Sequence, residues 1–207
     1  MSHSSAFRAV FCAFLLVGGL VLSTLTPPLQ SPDEGSHLAR AYFLANGGFL
    51  LERQDGAGSS GGRIDLGWVA FNGTFSRFPF NPAQKLTAAD VAQARSIRHH
   101  GTRAFFETPG VGYYFPLIYL PQATALFVGE RLDLPIHRTY KLARLLALAA
   151  TVGLLFAALR LYPVNPLALG LLVLPMSLFQ SASCSMDALT YAVATLVLCL
   201  FMKVREM

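Results

Sequence analysis

The residues best suited to chemistry follow the first apolar run, in "PPLQSPDEGSHLARAYFLANGG", Pro27 to Gly48. Asp33, His37 and Arg40 are spaced i, i+4, i+7 and would share one helix face. A carboxylate, an imidazole and a guanidinium in a row suit a phosphate-bearing or metal-bridged ligand. Glu34 stands beside Asp33, and a distant acid, Asp187, ends a long charge-free run. Two such acids meeting at one membrane face would hold a divalent cation through oxygen ligands. The same residues also make a helix start. Ser31 would be the N-cap, Pro32 the first helical residue and Glu34 the third, completing a capping box. Acids in a first turn are favoured by the helix dipole, and Asn46-Gly47-Gly48 supplies a stop.

The elements that must position these residues are membrane spans. The chain of 207 residues is 54% hydrophobic and 13% charged, against about 25% charged residues in soluble domains. Charge-free runs alternate with charged islands, as spans of roughly 20 apolar residues require. The net charge of +5 does not point to nucleic acid, because basic residues flanking spans are the ordinary orientation signal. The fold expected is an all-α polytopic membrane protein. It has about four full transmembrane helices, one broken or re-entrant segment, and a long extracytoplasmic first loop carrying short helices.

The first span is expected at 7–29. A cleaved signal peptide is the alternative, although "STLTPP" makes a poor cleavage site. With Arg8 inside, the chain leaves the bilayer at Pro27-Pro28 on the outer face. The extracytoplasmic loop runs over 30–112. Within it "QDGAGSSGG" reads as a mobile loop, and Thr87 with Asp90 makes a capping-box-like start for a helix to about Arg98. The second span is placed at 113–129, with Tyr113, Tyr114 and Tyr119 as interfacial aromatics. The island "ERLDLPIHRTYKLAR" is then a basic cytoplasmic loop, the third span runs over 139–161, and Arg144 and Arg160 snorkel at its ends. Pro163, Pro166 and Pro175 break the segment 163–182, which is expected to dip in and return as a half-helix or broken hairpin. That leaves Asp187 outside, with the last span at 188–203 and Lys203 and Arg205 inside.

Other features carry less. Cys12, Cys184 and Cys199 lie in or beside apolar runs, which argues against a disulfide framework or a cysteine zinc site. His99-His100 and the Arg95/Arg98 face read as solvated surface. Asn72-Gly73-Thr74 matches a glycosylation sequon that means little here. Gly18-Gly19 permits close helix packing without forming a small-xxx-small motif. Dinucleotide fingerprints, Walker loops and internal repeats are absent.

The order of "PDEGSHLARAYFLANGG", "YYFPLIYLPQATALFVGERL", "KLARLLALAA" and "LPMSLFQSASCSMDALTYAVA" resembles the GT-C superfamily of integral-membrane glycosyltransferases. Within it the resemblance is greatest to a bacterial branch of polytopic predicted membrane proteins of unknown function. The resemblance implies a multi-pass enzyme of the bacterial cytoplasmic (inner) membrane, its active face extracytoplasmic. It would take sugar from a polyprenyl-phosphate-linked donor to a glycan or lipid acceptor of the cell envelope. It implies that Asp33, with Glu34, acts as base or metal ligand, and that Asp187 is the second acid of a site for a divalent cation such as Mg or Mn. His37 and Arg40 are the candidates for the donor phosphate. The chain has fewer spans than the eight or more usual in that superfamily. A non-catalytic membrane subunit or assembly factor of a cell-envelope glycan system, paired with another membrane chain, is the alternative.

Overall fold

The computed structural model describes residues 4–207. Among the described residues three helices are long and apolar enough to cross a membrane: α1 (Ser5–Leu25), α6 (Ile136–Leu161) and α9 (Asp187–Arg205). With 21, 26 and 19 residues and a rise of 1.5 Å each, they reach about 32, 39 and 28 Å, close to the roughly 30 Å of hydrocarbon. Ser4 starts α1 by accepting the Phe7 N–H at 3.1 Å. Val10, Phe14, Val17 and Val21 recur at helical spacing and stay exposed, a face suited to lipid.

Contacts along the bundle give the direction of each helix. Cys12 clusters with Leu159, Leu15 with Leu155, and Gly19 faces Leu148, so α1 and α6 are antiparallel. Cys184 lies against Tyr140, Ala192 against Leu155, and Cys199 against Tyr162, so α6 and α9 are parallel. The chain between them returns through two short helices, α7 (Pro166–Leu172) and α8 (Pro175–Ser181). Leu169 packs with Cys12 and Leu159 at one end, Leu178 faces Gly18 further along, and Ser181 precedes the Cys184 contact at the other end. This segment therefore traverses the length of the bundle as a broken helix. The break lies at Leu174, whose extended backbone precedes Pro175. One carbonyl freed by the break is satisfied by Ser177, whose hydroxyl donates to Leu171 at 2.7 Å, as irregular backbone at membrane depth requires.

These directions correct the expected path. The second span placed at 113–129 does not form. Residues Pro116–Tyr119 make a 3-10 turn and α5 covers only Leu120–Arg131. Its 12 residues span about 18 Å, too short to cross. Pro116 and Pro121 restart the chain there, and α5 lies against α2 (Glu34–Ala45) and α6 instead. The basic island 130–144 consequently stays at the end where α1 exits. The segment 163–182, expected to dip and return, runs through to that same end. The two differences offset each other for Asp187, which stands at the Asp33 end because one crossing disappears and another appears. Among the described residues three helices reach spanning length, where about four full spans are expected from the sequence.

The segment between α1 and α6 is a folded cap, and it is not all helical. Strands β1 (Gly61–Asp65) and β2 (Arg103–Glu107) pair antiparallel, with Gly61 opposite Glu107 and Asp65 opposite Arg103. The end of the Gly/Ser stretch is thus strand. A side chain at Gly62 would meet the Phe43 ring at 2.8 Å, so glycine is needed for α2 to lie on the sheet. Asp65 then starts α3 (Leu66–Phe75) by accepting the Gly67 N–H at 2.7 Å, and it also accepts from the His100 and Gly101 N–H groups. Trp68 hangs from α3 into the core, with His99 edge-on at 6.2 Å; His99 is therefore packed, not the solvated surface expected. Helix α4 (Ala88–Ser96) has the expected capping box between Thr87 and Asp90, reinforced by Arg77 at 2.6 Å from Asp90. One continuous apolar cluster joins α2, α3, α5, the start of α6 and the chain at Cys184 and Met186.

Candidate functional site

The site is built where α1 ends. Helix α2 begins at Glu34, two residues later than expected, with Asp33 and not Ser31 in the N-cap position, at φ 54° and ψ 12°. Half of the expected capping box survives, since Glu34 Oε2 accepts the Ser31 N–H at 3.3 Å. The Ser31 hydroxyl instead donates to Gln180 of α8. Leu29 also has positive φ, at 61°, so the turn from Pro27 to Asp33 holds two non-glycine residues in a sparsely populated region.

Glu34 holds this turn in place. Its Oε1 accepts from Tyr140 Oη at 2.6 Å and from the Cys184 N–H at 2.7 Å. Arg144 approaches both carboxylate oxygens at 3.4 Å. The same guanidinium donates to the Ser23, Thr26 and Pro27 carbonyls at 3.2, 3.1 and 3.2 Å. These are the open carbonyls at the C-terminus of α1, where a cation is favoured. Tyr140 Oη in turn accepts the Leu29 N–H at 3.0 Å. Glu34, Tyr140 and Arg144 are all buried. Arg144 is therefore an internal clamp and does not snorkel. Sequence reasoning missed Tyr140 and the chain at Cys184 because the partners lie more than a hundred residues from Glu34.

Asp33 has the opposite environment. It is exposed, and its side chain makes no capping hydrogen bond. One turn on, His37 is buried, with Nδ1 sharing a hydrogen bond with Tyr119 Oη at 2.7 Å. Tyr114 and Tyr119 flank its ring at 5.9 and 5.8 Å. Burial pushes the imidazole below its ordinary value of 6.5, while the Asp187, Asp33 and Glu34 carboxylates pull it back up. Asp187 and Asp33 thus act on one imidazole from widely separated parts of the chain. Asp187 is half-buried, at the first turn of α9. The loop before it is held by Gln122 of α5, which donates to the Ser185 carbonyl at 3.0 Å, and by Glu34 at Cys184.

Arg40 sits one turn beyond His37 and turns inward. Its Nη1 and Nη2 donate to the Gly48 and Phe49 carbonyls at 3.0 and 2.6 Å. It closes the turn after α2, while Nε remains buried without a partner. The stripe of Asp33, His37 and Arg40 is real as spacing, but only Asp33 presents an open charge. Among the described residues no group of three or more His, Cys, Asp or Glu side chains could hold a metal ion.

The model of a family of predicted membrane proteins, DUF2142, matches residues 14–207. The chain belongs to the DUF2142 family. No curated protein and no solved structure matches it. The matched region takes in every residue of the Glu34–Arg144 clamp as well as Asp33, His37 and Asp187. As a DUF2142 member with three apolar helices of spanning length, the chain is a membrane protein.

Proposed function

We propose that the chain is a membrane glycosyltransferase module that takes sugar from a polyprenyl-phosphate-linked donor to an extracytoplasmic glycan or lipid acceptor. The observation that supports this reading is that the buried His37 imidazole feels both the Asp33 and the Asp187 carboxylates at one end of the bundle, and neither acid has a side-chain hydrogen bond among the described residues. Asp33 accepts the proton of the acceptor hydroxyl as it attacks, a role that needs a carboxylate free of structural partners. Asp187 orients the incoming group. His37 meets the charge that develops on the leaving phosphate, with its other nitrogen tied to Tyr119. Glu34 and Arg40, whose polar atoms are engaged by protein, act as positioning residues. A divalent cation bound by Asp33 and Asp187 would need ligands beyond those two, so no step runs through it.

The orientation follows from charge. Away from the cap, the chain carries Arg8, Arg160, Lys203 and Arg205 on short segments, and such residues mark the cytoplasmic side. The cap spans residues 26–135, longer than the roughly 60 residues over which basic charge governs topology. The Asp33 end is then extracytoplasmic, in the inner membrane of a bacterium.

The test is sugar transfer from a polyprenyl-phosphate donor in membranes containing the protein. Asp33→Asn is expected to lower it by about 10²- to 10⁴-fold, the usual worth of a general base, with insertion unchanged. Full transfer by that variant would refute the assignment. One observation favours a non-catalytic subunit: Asp33 and Asp187 line neither the recess at Arg95–Lys141 nor the one at Tyr162–Met202. In that case Asp33→Asn would disturb co-purification of a partner chain and leave no transfer to lose.

A further inference from the structure

A second feature lies on the opposite side of Arg144. A cavity of about 200 Å³ opens between the end of α1, helices α3 and α4, and the first turns of α6. Its basic lining is Arg95, His137, Lys141 and Arg144, and no acidic side chain lines it. Arg144 is neutralised by Glu34. Arg95 and Lys141 have no ion-pair partner among the described residues, and both are exposed. His137 Nδ1 is buried without a hydrogen-bond partner. Phe71, Phe75 and Val91 line the apolar side, and Leu25 carries the wall onto α1. From there the exposed residues Val21, Val17, Phe14 and Val10 continue down the helix.

Uncompensated cations at the mouth of a membrane helix, above an apolar track, suit an amphipathic anion. We infer that this cavity binds the phosphate head group of a membrane lipid, with Arg95 and Lys141 facing the phosphate and the hydrocarbon chain lying along α1. The volume accommodates a head group and not a whole lipid, so the chain must remain outside, where the α1 face is open. Guanidinium and ammonium groups provide charge-assisted hydrogen bonds to phosphate oxygens. A phosphate at this depth also offers an acceptor to His137, whose Nδ1 has no partner among the described residues. The inference does not depend on sugar transfer, and binding can be read without activity.

The experiment uses the full chain in phosphatidylcholine nanodiscs. Phosphatidic acid, a polyprenyl phosphate and inorganic phosphate are added separately, and bound lipid is counted by native mass spectrometry. Saturable binding of one or both lipid phosphates is expected, weakened about fivefold by Arg95→Gln or Lys141→Gln and more by the pair, on the scale of one surface cation per anionic lipid. Both side chains are exposed, so the variants should melt as the parent does in phosphatidylcholine alone, which separates lost binding from lost folding. Binding of phosphatidic acid alone would support the site as a general lipid-phosphate pocket while leaving the sugar-donor reading unsupported here. Binding unchanged in the double variant, or inorganic phosphate competing as well as either lipid, would overturn the inference.

Discussion

Glu34 and Asp33 are adjacent, yet one is sealed by five donors and the other is open. Removing the Glu34 charge leaves the Arg144 guanidinium buried without its counter-ion. Glu34→Gln should therefore destabilise the fold by about 3–5 kcal/mol, the usual result of breaking a buried ion pair from one side, read by denaturation in micelles. Tyr140→Phe removes one donor to Glu34 and the acceptor of the Leu29 N–H. It should be milder, about 1–3 kcal/mol. His37 gives a pH dependence. Its folded value lies below 6.5 because burial disfavours the charged form. The neutral ring contributes stability above the unfolded value, and this is lost as pH falls through the lowered folded value. Melting temperature between pH 7.5 and pH 5 should fall more steeply in the parent than in His37→Asn, and parallel curves would contradict it. At this scale the candidate acids could be found in sequence, since a "DE" pair after a span is visible. Their division of labour could not, because it depends on Tyr140, Arg144 and Cys184.

At the scale of elements, two glycines show how closely parts approach. A side chain at Gly19 would meet Leu148 at 2.6 Å, where α1 crosses α6. Gly19→Leu should cost about 1–3 kcal/mol or more through overpacking. By contrast, Gly153→Leu in the same bundle should be near neutral, because nothing lies within 4 Å of its added carbon; equal losses for both would remove the packing argument. The capping box at Thr87 and Asp90 was legible because it is local, and so were the three long apolar helices. The strand pair was hidden, since Gly61–Asp65 and Arg103–Glu107 are five residues each and meet across a long separation. Helix α5 misled in another way. Its apolar composition matches a span, but two prolines shorten it, and its neighbours are α2 and α6 and not lipid alone.

The whole molecule sets which ends face each other. In the observed bundle the island 130–144, the cap and Asp187 lie at one end, and the α6–α7 connection lies at the other. Cysteines placed at Asp55, Asp133 and Asp187 should react with an impermeant thiol reagent from one side, and a cysteine at Asn165 from the other. The three native cysteines are buried and should give little background. Labelling of Asp133 and Asp55 positions from opposite sides would restore the crossing at 113–129 and refute this topology.

Composition and periodicity by themselves determined that this is a helical membrane protein with its acids at a span boundary. Hydrophobic transfer acts on each segment separately, so those facts are written segment by segment. Which runs cross, which carboxylate is sealed and which is left open were decided only by tertiary structure. Those outcomes rest on contacts between distant residues: Arg144 against the end of α1, Glu34 against the Cys184 backbone, and α5 against α2. A segment apolar enough for lipid can lower its free energy equally by burial against protein, and the sequence of that segment alone does not distinguish the two.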